Sequence, residues 1–243
     1  MQLQLTGIDI ITADLVVMTG LRIGAGGNEM RIGGVDNQVI RHPLTLQPYI
    51  PGSSLKGKIR SLLEWRSGAV QEHPLSYEEY KNSSGQQQAQ IKSILQLFGM
   101  SGDTELADSV AKEFGPTRLS FWDCELQQAW LDNASNDNQI PIEVKSENTI
   151  RRISGTADNP RFTERVAAGS VFDFKLSMKK LNNDSDELLT MILQGLKLLE
   201  QDSLGGSGSR GYGKVSFTNL QINGESISSQ FDALDPFSLQ AAI

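Results

Sequence analysis

The sequence predicts an α+β fold in which a sheet carries its helices on one face. Three observations carry that expectation. Residues 8–18, "IDIITADLVVM", are β-branched and loosely alternating, the pattern of a half-buried strand. "KVSFTNLQI", which starts at Lys214, repeats that character near the other end of the chain. Helical patterns near 53–66 and 184–203 lie between these strands, so helices and strands are mixed rather than regularly alternating.

Each element follows from local chemistry. "TGLRIGAGGNEMRIGGVDNQ" holds six glycines, too many for a regular element, and reads as a long functional loop. Pro43, Pro48 and Pro51 keep the chain extended until Ser53 or Ser54 caps a helix. Leu55, Ile59, Leu62 and Leu63 share one face of that helix, and Lys56 with Arg60, four apart, form a basic flank. Residues 67–115 are polar and helical in part, with "QQQAQIKSILQLFG" the best helix among them. "TRLSFWDCEL" (117–126) reads as a strand and "DNASNDNQ" (132–139) as a polar turn. Two extended arms, "PIEVKSENTIRRIS" and "RFTERVAAGSVFDFKLSM", joined by "GTADNP", predict a projecting β-hairpin. Asp184 followed by Glu187 suits a capping box, opening a helix to about Gln201 that is apolar around most of its circumference and therefore buried.

The 243 residues suffice for one large domain or two small ones. No apolar run approaches a membrane span, and the N-terminus lacks a secretory pattern, so the cytoplasm is the expected location. Cys124 is the single cysteine, which excludes an internal disulfide and a multi-cysteine zinc site. The net charge of −7 argues against nucleic acid, but its distribution does not. Residues 67–139 hold 11 acidic and 4 basic side chains, whereas 41–66 and 145–180 each sum to +4. Local potential governs phosphate affinity, so two basic stretches remain available for binding.

"GGSGSRGYGK" contains both G-x-G-x-x-G and G-x-x-x-x-G-K. Nucleotide loops of either kind follow a strand and open a helix; this one follows a helix and opens a strand, and Val215 stands where a magnesium-binding Ser or Thr is needed. A nucleotide cofactor is therefore excluded. What remains is a loop whose backbone can approach another chain closely, with Ser207, Ser209 and Arg210 available to phosphates. The helix start at 53–60 combines free N–H groups and basic residues, and reads as an anion site or a plain solvated helix. Asp36, in "RIGGVDNQ", is either a turn former or a carboxylate able to hold a divalent ion or take a proton from an RNA 2′-hydroxyl. His42 and His73, each beside a proline, read as surface residues rather than a catalytic pair.

Three long segments, "IGGVDNQVIRHPLTLQPYIPGSSLKGKIRSLLE", "VKSENTIRRISGTADNPRFTERV" and "GLKLLEQDSLGGSGSRGYGKVSF", resemble one family in the same order. It is the family of repeated backbone subunits (the third Csm subunit) of type III-A CRISPR interference complexes, within the RAMP superfamily. The resemblance implies a single RAMP domain over 1–243 with a ferredoxin-like (RRM-like) palm, inserted fingers at about 67–116 and a β-hairpin thumb at about 132–170. It also implies several copies stacked as a filament on CRISPR RNA with other Csm subunits, and cleavage of complementary target RNA with a divalent metal, Mg²⁺ or Mn²⁺. The catalytic and metal-binding aspartate falls on Asp36. Guide contacts fall on Ser53, Ser54, Lys56, Arg60, Ser207, Gly208 and Arg210, and Arg151, Arg152 and Arg161 fall in the thumb. Family members commonly carry histidine at the position of Arg22, which here keeps the positive charge for RNA contact but not a neutral imidazole.

Two other functions fit less of the sequence: a catalytically silent RNA-binding backbone, which does not need Asp36, and a nuclease that processes precursor guide RNA, which would need histidines in better contexts.

Overall fold

The computed structural model describes residues 2–26, 37–100, 108–136 and 140–238. Strand β1 (Leu5–Val17) is followed by helix α1 (Gly52–Ser67), then by the short helices α2 (Tyr77–Asn82), α3 (Gly85–Phe98) and α4 (Asp108–Phe114). Strand β2 (Leu119–Phe121), helix α5 (Gln128–Asn136) and the hairpin strands β3 (Ile142–Ile150) and β4 (Ala157–Val166) come next. The chain then runs through β5 (Val171–Leu181), α6 (Glu187–Gln201), β6 (Val215–Ile222), β7 (Glu225–Ser226) and α7 (Ser228–Asp232).

The main sheet has the order β2-β5-β1-β6-β7, and every neighbouring pair is antiparallel. Strands β1, β2, β5 and β6 with helices α1 and α6 therefore form a β-α-β-β-α-β unit, the ferredoxin-like palm. Helices α2–α4 interrupt it between α1 and β2, and α5 with the β3–β4 hairpin interrupts it between β2 and β5.

Alternation along β1 buries Ile11, Ala13, Leu15 and Val17 and leaves Thr12, Asp14 and Val16 on the opposite, more open face. Leu55, Ile59 and Leu63 of α1, and Leu188, Ile192, Leu193, Leu196 and Leu199 of α6, complete the core on the buried side. Each such aliphatic side chain contributes roughly 1.5–3 kcal/mol of burial. The two helices meet at Gly195, where a Cβ would lie 2.6 Å from Ile59 Cγ2. Glycine is required for that close crossing.

Several local expectations are corrected. The N-cap of α1 is Pro51, not Ser53 or Ser54, because the chain is already helical at Gly52 and Ser54 N–H donates to the Pro51 carbonyl (2.9 Å). The capping box expected at Asp184–Glu187 does not form; Asp186 stands at the N-cap position of α6 without a side-chain capping bond, while Asp184 pairs with Arg118 and accepts from the Leu181 N–H (2.8 Å). A capping box does occur on α2, where Ser76 and Glu79 satisfy each other's termini. The polar stretch 132–139 is not simply a turn, since α5 continues to Asn136. The second extended arm divides into β4, which pairs with β3, and β5, which pairs with β1 and β2 in the palm.

The hairpin joins the palm at its base, where Leu21 and Val166 exchange backbone hydrogen bonds of 3.0 and 2.7 Å. Its tip, residues 151–156, is exposed throughout. That geometry is the projecting thumb.

Candidate nucleic-acid interface

The segment between α6 and β6 folds against the residues that follow β1. Gly206 N–H donates to the Arg22 carbonyl (2.9 Å), and Gly213 N–H donates to the Gly20 carbonyl (3.1 Å). Gly205 has φ +74°, and a Cβ there would collide with the Arg22 carbonyl, so no other residue fits this approach. Ser207 is left-handed (φ 64°), and Gly208–Arg210 form one 3₁₀ turn that holds the Arg210 side chain out of the loop. Lys214, the lysine of the apparent nucleotide motif, donates from Nζ to the carbonyls of Gln201 (3.3 Å) and Asp202 (2.5 Å). It caps the C-terminus of α6, where a cation complements the exposed carbonyls.

Opposite this loop stands one face of the thumb. Cross-strand register places Glu143, Lys145 and Glu147 against Arg165, Thr163 and Arg161, so these side chains share a face. A groove between the hairpin and the loop is lined by Lys145, Glu147, Arg152, Arg161 and Arg210. Tyr212 packs behind this face: it is fully buried, with Lys145 Nζ 4.5 Å and the Arg165 guanidinium 5.0 Å from its ring centroid. The Tyr212 hydroxyl donates to Glu147 Oε1 (2.9 Å). That bond, with Lys145 and Arg210 behind it, holds the Glu147 carboxyl below the usual carboxylate range.

The remaining candidates divide. Arg151 pairs with Asp158 (2.9 Å) at the thumb tip, while Arg152 and Arg161 are exposed and have no ion pair among the described residues. Ser53 is exposed and Ser54 and Lys56 are half-buried at the start of α1. The first N–H of that helix is already served, because Gly52 N–H donates to Asp123 Oδ1 (2.7 Å). Arg60 does not form a basic edge with Lys56. Its guanidinium is occupied by Glu64 (2.7 Å) and the carbonyls of Gly99 (3.1 Å) and Leu75 (2.8 Å), so it fastens α1 to the inserted helices.

Arg22 donates from a terminal nitrogen to Asn37 Oδ1 (2.7 Å), and its buried Nε has no hydrogen-bond partner among the described residues. Asp36 lies outside the described residues. Its neighbour is held tightly, since the Asn37 carbonyl also accepts the Glu164 N–H (2.9 Å) from β4. Glu164 itself accepts from Val39 N–H (3.1 Å) and Arg41 (2.9 Å). Among the described residues no three His, Cys, Asp or Glu side chains converge as a metal site.

Sequence reasoning missed Lys145, Glu147 and Tyr212. The every-second-residue spacing of Glu143, Lys145 and Glu147 signals a common strand face, but the meeting of that face with Tyr212 depends on how the hairpin docks.

Comparison with known proteins follows this geometry closely. Residues 14–216 match the profile of the RAMP superfamily. A protein of Methanothermobacter thermautotrophicus described as "CRISPR system Cms endoribonuclease Csm3" is 38% identical over 228 residues, covering 88% of this chain and 84% of that protein. A Mycobacterium tuberculosis protein of the same description is 40% identical over 225 residues, covering 87% and 86%. The chain belongs to the Csm3 family of RAMP proteins. Among solved structures, a chain of the Csm3–Csm4 subcomplex in the type III-A CRISPR-Cas interference complex superposes with a TM-score of 0.53 at 28% identity, covering 90% of this chain and 80% of that one. A chain of the type III-B Cmr-β complex bound to cognate target RNA shares the fold alone, with a TM-score of 0.58 at 15% identity, covering 88% of this chain and 60% of that one.

Proposed function

We propose that this chain is a CRISPR RNA-binding backbone subunit of a type III-A interference complex that cuts complementary target RNA as an endoribonuclease. The observation that carries this reading is the groove between thumb and glycine loop, where Lys145, Arg152 and Arg161 of the hairpin meet Arg210 of the loop. Such a cluster on an acidic protein suits a phosphate backbone, and its cations supply affinity without reading sequence. The naming of Csm3 relatives as endoribonucleases supports the catalytic half.

In this reading Ser53, Ser54, Lys56, Ser207 and Gly208 line the guide path beside the groove, and Arg151 extends it along the thumb. Arg22 contributes charge at the junction and ties down Asn37. Asp36 is the catalytic carboxylate, placed next to that anchored residue. It would hold a divalent ion, Mg²⁺ or Mn²⁺, together with RNA oxygens. The ion would stabilise charge on the phosphate. The carboxylate's own part is to orient the 2′-hydroxyl or take its proton.

Several copies stack along the guide with other Csm subunits as a single RAMP domain each, in the cytoplasm; among the described residues no helix is long and apolar enough to cross a membrane. The test is reconstitution with guide RNA, partner subunits and Mg²⁺ or Mn²⁺. Protected guide and regularly spaced cuts in a complementary RNA are expected, and absence of guide from the purified assembly would overturn the reading.

A further inference from the structure

The groove proposed to hold RNA contains one carboxylate among its cations. Glu147 Oε1 lies 3.3 Å from Lys145 Nζ and Oε2 lies 3.3 Å from an Arg210 terminal nitrogen. The same carboxylate is fixed more firmly from behind by the Tyr212 hydroxyl at 2.9 Å. Its two ion pairs are long and reach a half-buried Lys145 (34% exposed) and a well-exposed Arg210 (61%). A carboxylate held this way has one strong bond to a buried anchor and two weak ones to the cations a ligand would use.

A purely structural role for Glu147 would be served by the Tyr212 bond alone, which joins β3 to the glycine loop. The contact to Arg210 adds little to that joint, because an exposed ion pair is worth about 1 kcal/mol or less. It does neutralise the one cation that the glycine loop offers to the groove. Arg161, the cross-strand partner of Glu147, points along the same face and has no ion pair of its own among the described residues. Glu147 therefore sits among three arginines and a lysine that a phosphate would find attractive, and stands in the phosphate's place.

We propose that Glu147 is a displaceable stand-in for an RNA phosphate, holding Arg210 and Lys145 in the RNA-free chain and yielding them when guide RNA enters. This inference rests on the reading of the groove as an RNA site. It makes the acid a brake on affinity rather than a binding residue. Its Tyr212 anchor keeps the carboxylate in place after Arg210 has moved to the phosphate. Single-stranded RNA with few contacts is then held weakly, and only an RNA that engages the whole groove offsets the loss of the internal pair.

The experiment measures binding of a fluorescent single-stranded RNA to the full-length protein across a salt series. Glu147→Gln keeps an oxygen for the Tyr212 hydroxyl and removes the charge. Affinity should rise roughly three- to tenfold, tenfold being about 1.4 kcal/mol. The salt slope should steepen by up to about 0.7. The gain should fall by more than half in an Arg210→Ala background, since the two residues act on one contact. Glu147→Asp, whose carboxylate is drawn back from Arg210, should give an intermediate gain and guards against a folding defect in the first variant. Unchanged or weaker binding by Glu147→Gln with an unchanged unfolding midpoint overturns the proposal, as does an equal gain with and without Arg210. Arg152→Ala with Arg161→Ala separates the two levels. If that pair leaves binding intact, the groove is not the RNA site; if it weakens binding while Glu147→Gln changes nothing, only the stand-in role fails.

Discussion

Arg22 and Asn37 are joined by a 2.7 Å hydrogen bond across the mouth of the glycine-rich region. The bond connects the residue following the Leu21–Val166 bridge to the residue that follows Asp36. The arginine at the first of these positions has a long reach and keeps its charge at every physiological pH.

Arg22→Met should remove this tie. A hydrogen bond with a charged donor is worth about 1.5–3 kcal/mol. Urea unfolding should register a loss at the low end of that range, because the residue is only half-buried. Target cleavage by the assembled complex should slow more than guide binding weakens, since the anchor adjoins Asp36 while the groove cations are untouched. Equal loss of both would place Arg22 among the RNA contacts instead.

Arg118 carries a different kind of ion pair. It is fully buried, pairs with Asp184 through two nitrogens, and donates to the carbonyls of Phe114 and Pro116, both at 2.6 Å. Asp184→Ala leaves that guanidinium uncompensated, which costs about 3–5 kcal/mol. Replacing both partners, Arg118→Met with Asp184→Leu, should restore most of the stability. A double variant no better than the single one in chemical denaturation would show that the carbonyl contacts dominate.

Burial pushes the Cys124 thiol up from 9.0 to about 12. A raised folded value means that this group's contribution is complete below pH 9 and is lost as pH rises toward 12, because the unfolded thiol ionises first. The native protein should resist alkylation at pH 8 and react once denatured. Rapid labelling of the native chain would contradict the buried position.

Arg60 and Tyr212 show where sequence reading reaches its limit. The apolar spacing of Leu55, Ile59 and Leu63 makes α1 and its buried face legible, and the unbroken apolar character of α6 does the same for the other core helix. Periodicity cannot say whether the flank beside such a face meets water. Arg60 meets the carbonyls of Leu75 and Gly99, 15 and 39 residues away, and only the packing of the inserted helices decides that. Asp184 fails as a cap for a similar reason: Arg118, 66 residues earlier, is buried beside it and needs its charge. The glycine loop was readable by context, since it joins a helix to a strand, but the pairing of Tyr212 with Glu147 arises from docking of two separate segments.

The thumb tip offers a direct geometric test. Ile150 and Ala157 are the last paired residues, and the six residues from Arg151 to Thr156 close the hairpin. Replacing that loop with Asn-Gly supplies a turn matched to two paired strands. The palm should keep its unfolding midpoint, because tip residues are exposed and absent from the core. The regular spacing of cuts in target RNA should be disturbed by the shortened tip and its lost Arg151, Arg152 and Ile153. An unaltered ladder of products would dissociate the hairpin from target engagement.

Asp36 decides between an enzyme and a silent scaffold. Asp36→Asn preserves shape and removes the charge, so guide binding, which rests on the groove cations, should persist. Its sequence neighbours are glycine-rich rather than a core-forming apolar pattern, so stability should change by less than about 0.5 kcal/mol. If the carboxylate holds a divalent ion or takes the 2′-hydroxyl proton, target cutting should be nearly abolished. Loss of one positioned acid or base alone removes a factor of about 10²–10⁴. The variant must be assembled with guide and partner subunits and compared with wild type on a complementary RNA in Mg²⁺ and in Mn²⁺. Normal assembly and target binding without internal cuts supports the catalytic role. Retained wild-type cleavage returns Asp36 to the status of a turn residue and leaves the chain as an RNA-binding backbone whose chemistry lies elsewhere in the complex.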